Sequence, residues 1–212
     1  MSIAAIAAGG LFAAATSATA DPRHGSAAPE RYRAVLDAVP HDPAADGGSN
    51  AAGRAMLALR GDTVSILLKA RGLSPHLPHA VHIHGKDHPE ISNCPGADRR
   101  AGGVSDSLIE TVDGLADYGP IAVSFTTSGD ATPASGLALA RMPFAMGNGK
   151  VTYRRDIQLP SQIADHLGDK HIVVHGHDID GNGMYNAGPI TALGAPLEAE
   201  LPVACGEIRA QR

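Results

Sequence analysis

Tryptophan is absent from the 212 residues, and Phe, Tyr and Trp together make up only 3% of the chain. A core must therefore be assembled from Val, Ile, Leu and Ala, within a hydrophobic content of 43% that is ordinary for a globular protein. Positive charge is short as well. Lys and Arg number 17 against 22 Asp and Glu, a formal net charge of -5 with the histidines neutral. That balance argues against a nucleic-acid binder, which needs a basic footprint. Small molecules, ions and metals stay open as ligands. No phosphate-binding glycine loop is present, and Ser124, Ser128 and Ser135 belong to no readable Ser-His-Asp arrangement. There is no internal repeat.

Residues 1–20 are apolar and rich in small side chains, too short and too Ala/Gly-rich for a comfortable membrane span. They end in Ala18-Thr19-Ala20, an A-x-A cleavage pattern, followed by the polar Asp21-Pro22. No Lys or Arg precedes the apolar run, which departs from the usual signal. The segment is read as a signal peptide, so the mature chain is expected to be secreted or held in the cell envelope, with no membrane span after cleavage. Cys94 and Cys205 are the only cysteines. If paired, they close a loop of about 110 residues, worth roughly 4–5 kcal/mol less any strain. Such a pair persists in an oxidising compartment; two separate buried thiols are the alternative.

Residues 21–50 show little periodicity and read as an N-terminal arm or linker, with a short helix at 31–39. The folded domain is expected over 51–212. Residues 54–60 and 63–70 form a hairpin about Gly61-Asp62. Further strands are expected at 80–84, 121–127, 150–159, 171–175 and 201–208. Residues 161–167 read as one short helix with Ser161 as its N-cap. Short strands punctuated by Gly and Pro indicate an all-β sandwich or barrel with long loops.

Histidine is the compositional outlier: 11 residues, five of them between His76 and His88 and four between His166 and His177. Side chains alternate along a strand, so His82 and His84 share a face and can grip one ion from a rigid platform. His171, His175 and His177 share parity on the later strand. A third imidazole from His175 suits copper or zinc, and ligand softness alone does not choose between them. His79, His177 and Asp178 are candidates for a further ligand, and Asp178 or Asp180 for orienting a histidine through its free ring nitrogen. Asp178-Ile-Asp-Gly-Asn-Gly183 also matches the opening of a calcium loop, but position twelve is Pro189 rather than an acid. Calcium binding there is a weaker expectation than a polar turn.

The segment His79-Ala-Val-His-Ile-His-Gly85 resembles the copper-binding strand of the copper/zinc superoxide dismutases. His171-Ile-Val-Val-His-Gly176 resembles that family's later copper-ligand strand. Cys94, ten residues after His84, and Val203-Ala-Cys-Gly-Glu-Ile208 resemble the segments carrying its two disulfide cysteines. The pieces fall in family order across roughly residues 53–209. The resemblance implies a Greek-key β-sandwich, copper on His82, His84 and His175, and a Cys94–Cys205 bridge. Gly72-Leu-Ser-Pro75 leading into His82-Ile-His-Gly85, with Gly206-Glu-Ile-Arg209, is similar to CHRD domains, which implies a related fold without a necessary enzyme.

The chain departs from the dismutase pattern at chemically decisive points. The family's bridging histidine and zinc ligands lie after the first cysteine, yet residues 95–118 contain no histidine. A family-type zinc site is therefore not expected. Pro202 stands where the family places the arginine that draws in superoxide; Arg99, Arg100 and Arg141 are the substitutes to look for. Three functions follow: an exported copper-binding protein that stores, buffers or delivers the ion; a copper-only dismutase acting on superoxide; or a CHRD-like extracellular binding module without catalysis. The sequence leaves the oligomeric state open.

Overall fold

In the computed structural model, residues 28–46, 49–85, 92–100 and 107–211 are described. The leader expected at 1–20 lies outside them. The chain is all-β. Its strands are β1 Glu30–Ala38, β2 Ala52–Arg60, β3 Thr63–Arg71, β4 Val81–His84, β5 Ile121–Ser124, β6 Val151–Gln158, β7 His171–His175, β8 Pro202–Glu207 and the two-residue β9 Arg209–Ala210. They form one curled sheet in the order β5-β4-β7-β8-β1-β2-β3-β6, with β9 beside β1. All the paired strands run antiparallel. The helices are short: α1 Pro43–Asp46, α2 Thr111–Tyr118, α3 Ser161–Ala164 and α4 Leu197–Glu200. Among the described residues no helix is long and apolar enough to cross a membrane.

Period-two patterning builds the core. Along β2 and β3, Ala55, Leu57, Leu59, Val64, Ile66 and Leu68 turn inward while their neighbours face solvent. Ile83, Ile172 and Val174 come from the other half of the sheet to meet them. The hairpin closes with Arg60 opposite Thr63, and Gly61 takes a φ of 55°, the left-handed conformation a two-residue turn demands. Phe125 stacks on Tyr153 with ring centroids 5.2 Å apart, one of the few aromatic pairs available.

The N-terminal segment corrects the sequence reading. Residues 31–39 are not a helix but most of β1, which sits in the middle of the strand path and pairs with β2, β8 and β9. The folded unit thus starts before residue 51. Glu, Arg, Ala and Leu favour helix locally, but Tyr32, Ala34 and Leu36 alternate inward, and partners on both sides override the propensity. Ser161 is not an N-cap: Pro160 occupies that position, and the Ser161 hydroxyl donates to Asp62 at 3.1 Å.

The Cys94–Cys205 disulfide is formed, with Cα atoms 5.7 Å apart. Cys205 belongs to a second apolar cluster with Val39, Ile109, Tyr118 and Val173, which packs apart from the main core. Next to it, β1 crosses from its pairing with β2 to its pairing with β8. Gly206 permits that approach, because a Cβ there would stand 2.1 Å from the Val35 carbonyl oxygen, a backbone atom with nowhere to go. Gly206→Ala is expected to destabilise the fold by about 1–3 kcal/mol through this overpacking. Denaturant unfolding checks it; an unchanged midpoint would mean that β1 and β8 are not held this close.

Candidate metal centre

β4 and β7 are far apart in sequence and adjacent in space. His82 lies opposite Val173 and His84 opposite His171, and the His175 N–H extends the ladder by donating to Ala80 O at 2.7 Å. Residues directly opposite in an antiparallel pair share a face. The intervening Ile83, Ile172 and Val174 enter the main core, so the histidines project from the reverse face. That face is covered by connecting segments, which leave His82, His84 and His175 no more than 3% exposed.

Three of the covering segments end in a short helical turn, and each presents a backbone carbonyl to one imidazole. His84 Nδ1–H donates to the oxygen of Gly119, the residue closing α2, at 2.8 Å. His82 Nε2–H donates to that of Gly136, which follows a 3-10 turn at Pro133–Ser135, at 3.0 Å. His175 Nδ1–H donates to that of Glu200, the last residue of α4, at 2.7 Å. The last carbonyls of a helix lack intrahelical partners and are free to accept such bonds. Thr111 reinforces the third, its hydroxyl lying 2.6 Å from Glu200 O and 3.2 Å from His175 Nδ1.

These bonds fix the chemistry of the rings. A carbonyl only accepts, so the nitrogen facing it carries the proton of the neutral imidazole. The other nitrogen is then a bare lone pair. Those nitrogens, His82 Nδ1, His84 Nε2 and His175 Nε2, are buried without a hydrogen-bond partner. One nitrogen from each ring lies within 4.8 Å of the other two. Three nitrogens sharing an ion at about 2.0–2.1 Å lie roughly 3.3–3.6 Å apart, so the rings would close on one another by at most about 1.5 Å. The three residues could hold a metal ion, with backbone oxygens supplying the orienting contacts behind each ligand.

Burial pushes His84 down to about 3, with the neighbouring charge of His175 next in importance. Burial likewise lowers His175 to about 4, against the opposing effect of its Glu200 contact. His82 falls well below the ordinary value through burial, then through His175 and His84. All three rings are neutral, ready to bind, at physiological pH.

A cavity of about 270 Å³ adjoins the cluster. His82, His175 and Glu200 lie on its wall, with Ile121, and with Leu137 and Leu193, which are partly exposed. Burial raises the Glu200 carboxyl to about 7; the Thr191 hydroxyl opposes the shift, and Glu110 adds to it.

The other candidates lie elsewhere. His79 is buried behind His175, its Nδ1 3.0 Å from the His175 carbonyl and its Nε2 3.0 Å from that of Ser74. His177 donates to Asp46 O at 2.7 Å. His171 Nδ1 meets the Ser92 hydroxyl at 2.8 Å. Asp178 and Asp180 do not orient a histidine; they gather with Glu198 within 4.8 Å. Glu198, from α4, thus stands in space where the loop sequence offers only Pro189. Its carboxylate accepts the Ile179, Asn186 and Ala187 N–H groups, and Asp178 accepts those of Asn182 and Gly183. None of the substitute arginines lines the cavity. Arg99 pairs with Asp117, Arg100 bonds Pro40 O and His41 O, and Arg141 bonds Ser128 O, Asp130 O and Ser135. The orienting groups Gly119, Gly136, Glu200 and Thr111 were not singled out from the sequence, because three of them act through backbone carbonyls that every residue possesses.

Depressed histidine values carry a stability signature. His175, titrating near 6.5 unfolded and about 4 folded, contributes stability above pH 6.5 that is lost as pH falls through about 4. The unfolded chain gains a proton there that the folded chain refuses, a loss of about 3 kcal/mol from this residue alone. His84, held to about 3, and His82, held well below its ordinary value, add losses of the same sign, while Glu200, raised to about 7, gains stability as pH falls. Three histidines against one carboxyl leave the metal-free protein expected to melt at progressively lower temperature between about pH 6.5 and 4. A flat thermal profile over that range would contradict neutral buried rings.

No protein-family model matches this chain, and no curated protein matches it in sequence.

Proposed function

We propose that this is an exported copper-binding protein that stores, buffers or delivers the ion on His82, His84 and His175. The observation that carries the reading is that each of the three rings brings a nitrogen within 4.8 Å of the other two, while each is held at one nitrogen by a backbone carbonyl and keeps the other without a partner. Copper is favoured over zinc on charge. Three neutral imidazoles bring no negative charge into a buried site, so a monovalent cation leaves less uncompensated charge than a divalent one. Imidazole also suits copper. A bound copper supplies one-electron redox chemistry. The chain's own contribution is to orient the rings, exclude water and keep them unprotonated.

The strand order supports a Greek-key sandwich of the copper/zinc superoxide dismutase type: β7 returns beside β4, and β6 returns beside β3. The Cys94–Cys205 bridge also agrees with what that resemblance implies. Export is consistent with this bridge, since disulfides persist in oxidising compartments. Binding is favoured over dismutation because no cation lines the cavity at His82 and His175 to draw in superoxide.

The purified protein is expected to bind one copper per chain, measured by elemental analysis after dialysis. His82→Ala with His84→Ala, or His175→Ala alone, should abolish stoichiometric binding while circular dichroism stays all-β. Unchanged copper content in these variants removes the site. With lone pairs free down to about pH 4, copper should be retained at pH 5, where ordinary imidazoles are mostly protonated. Copper-loaded protein should remove superoxide no faster than the same amount of free copper; a faster rate replaces the binding reading with the dismutase one.

A further inference from the structure

We propose that the outer face of β1, β2, β3 and β6 is a docking surface for an anionic phospholipid bilayer. The strand register arranges its side chains in rows. Arg33, Met56, Leu67 and Arg154 form one row across the four strands, and Val35, Arg54, Lys69 and Thr152 the next. Arg31 and Asp156 mark the ends of the row on the other side of the first, and Arg71 continues the β3 face beyond Lys69. The basic residues of this lattice are exposed. Seven cations, Arg31, Arg33, Arg54, Arg60, Lys69, Arg71 and Arg154, thus share a surface with two carboxylates, Asp37 and Asp156, in a chain whose net charge is -5. Among the described residues none of these cations forms an ion pair.

The arrangement works against the fold's own stability. Arg54 lies directly opposite Lys69, and like charges opposite one another destabilise a sheet. An external polyanion resolves that repulsion. Its shape is indicated by the layout: the cations spread over a broad face, with strands about 5 Å apart, and do not follow a line. Val35 and Met56 stand among them, 61% and 53% exposed. Nucleic acid or a sulfated glycan has no use for these apolar groups, whereas a bilayer interface accepts apolar side chains among basic ones. A hollow of about 450 Å³ lined by Arg31, Met56, Leu67, Arg154, Arg155 and a single carboxylate, Asp156, offers room for a phosphate headgroup. The histidine cluster lies on β4 and β7, so docking leaves it untouched.

The test is sedimentation of the full chain with vesicles of phosphatidylcholine alone or mixed with phosphatidylglycerol. The ratio between the two is read, because any apolar leader would partition into both. Binding should favour the anionic vesicles and weaken with salt. Reversal of three charges, Arg33→Glu, Arg54→Glu and Arg154→Glu, should weaken it by about a hundredfold or more. Met56→Ser should weaken it several-fold with the salt dependence unchanged. Circular dichroism reports folding of each variant, and Arg33→Gln, Arg54→Gln and Arg154→Gln together give the same test with less risk to the fold. Equal binding to both vesicles, binding to neither, or retention on heparin or duplex DNA without preference for phosphatidylglycerol overturns the proposal.

Discussion

Which nitrogen of each imidazole is bare is the constraint on which the site depends. Three hydrogen bonds to backbone carbonyls settle it. Without them a neutral ring could present either nitrogen, and three rings would have eight combinations of tautomer, few of them convergent. The carbonyls act from the ends of short helical turns, where the helix leaves them unpaired. The connecting segments therefore do two things at once. They cover the reverse face of β4 and β7, leaving the three histidines no more than 3% exposed, and they set which nitrogen of each ring is bare. Leaving three acceptors buried without donors costs free energy in the metal-free protein, of the kind a bound cation recovers.

The covering segments need support of their own, and the second apolar cluster supplies it. Cys205 faces Val173 across the β7–β8 pair, between the positions of His171 and His175. Ile109 and Tyr118 pack onto the same pair of residues from outside the sheet. The Tyr118 ring lies edge-on to His84 with centroids 4.6 Å apart, while its hydroxyl donates to Thr111 O at 2.8 Å. One tyrosine thus ties the start of α2 to the wall of the site, and the Cys94 bridge anchors the neighbouring segment to β8. The disulfide bears on the histidine cluster indirectly, by holding down the layer that covers it.

Much of this was legible in the sequence, for identifiable reasons. The H-x-H spacing of His82 and His84 places both on one face whatever the tertiary structure, because strand parity is local. The β-branched run before His175 marked β7 with its bounds intact. β1 was not legible, because the same residues satisfy a helical preference, and only the strands on either side decide between the two. Nor was Glu198, since the residue that joins Asp178 and Asp180 lies 20 positions beyond Asp178 on another element, and no loop motif encodes that. The carbonyl acceptors are the limiting case. Their identity is conformational and not chemical, so Gly119, Gly136 and Glu200 have no residue type in common.

The donor set also bears on what the site can exchange. A cluster of carboxylates or thiolates would hold a divalent ion through net charge and release it slowly. Neutral imidazoles hold it through lone-pair geometry alone, in a pocket whose one nearby carboxyl, Glu200, is itself pushed towards neutrality by burial. Affinity in such a site depends steeply on the oxidation state and charge of the ion, because nothing in the wall compensates an added positive charge. The cavity beside His82 and His175 gives the ion a route that does not require the sheet to open. On the proposed reading, a β platform with a neutral ligand triad and a lateral opening fits capture and handover of a low-charge ion better than permanent retention of a structural one.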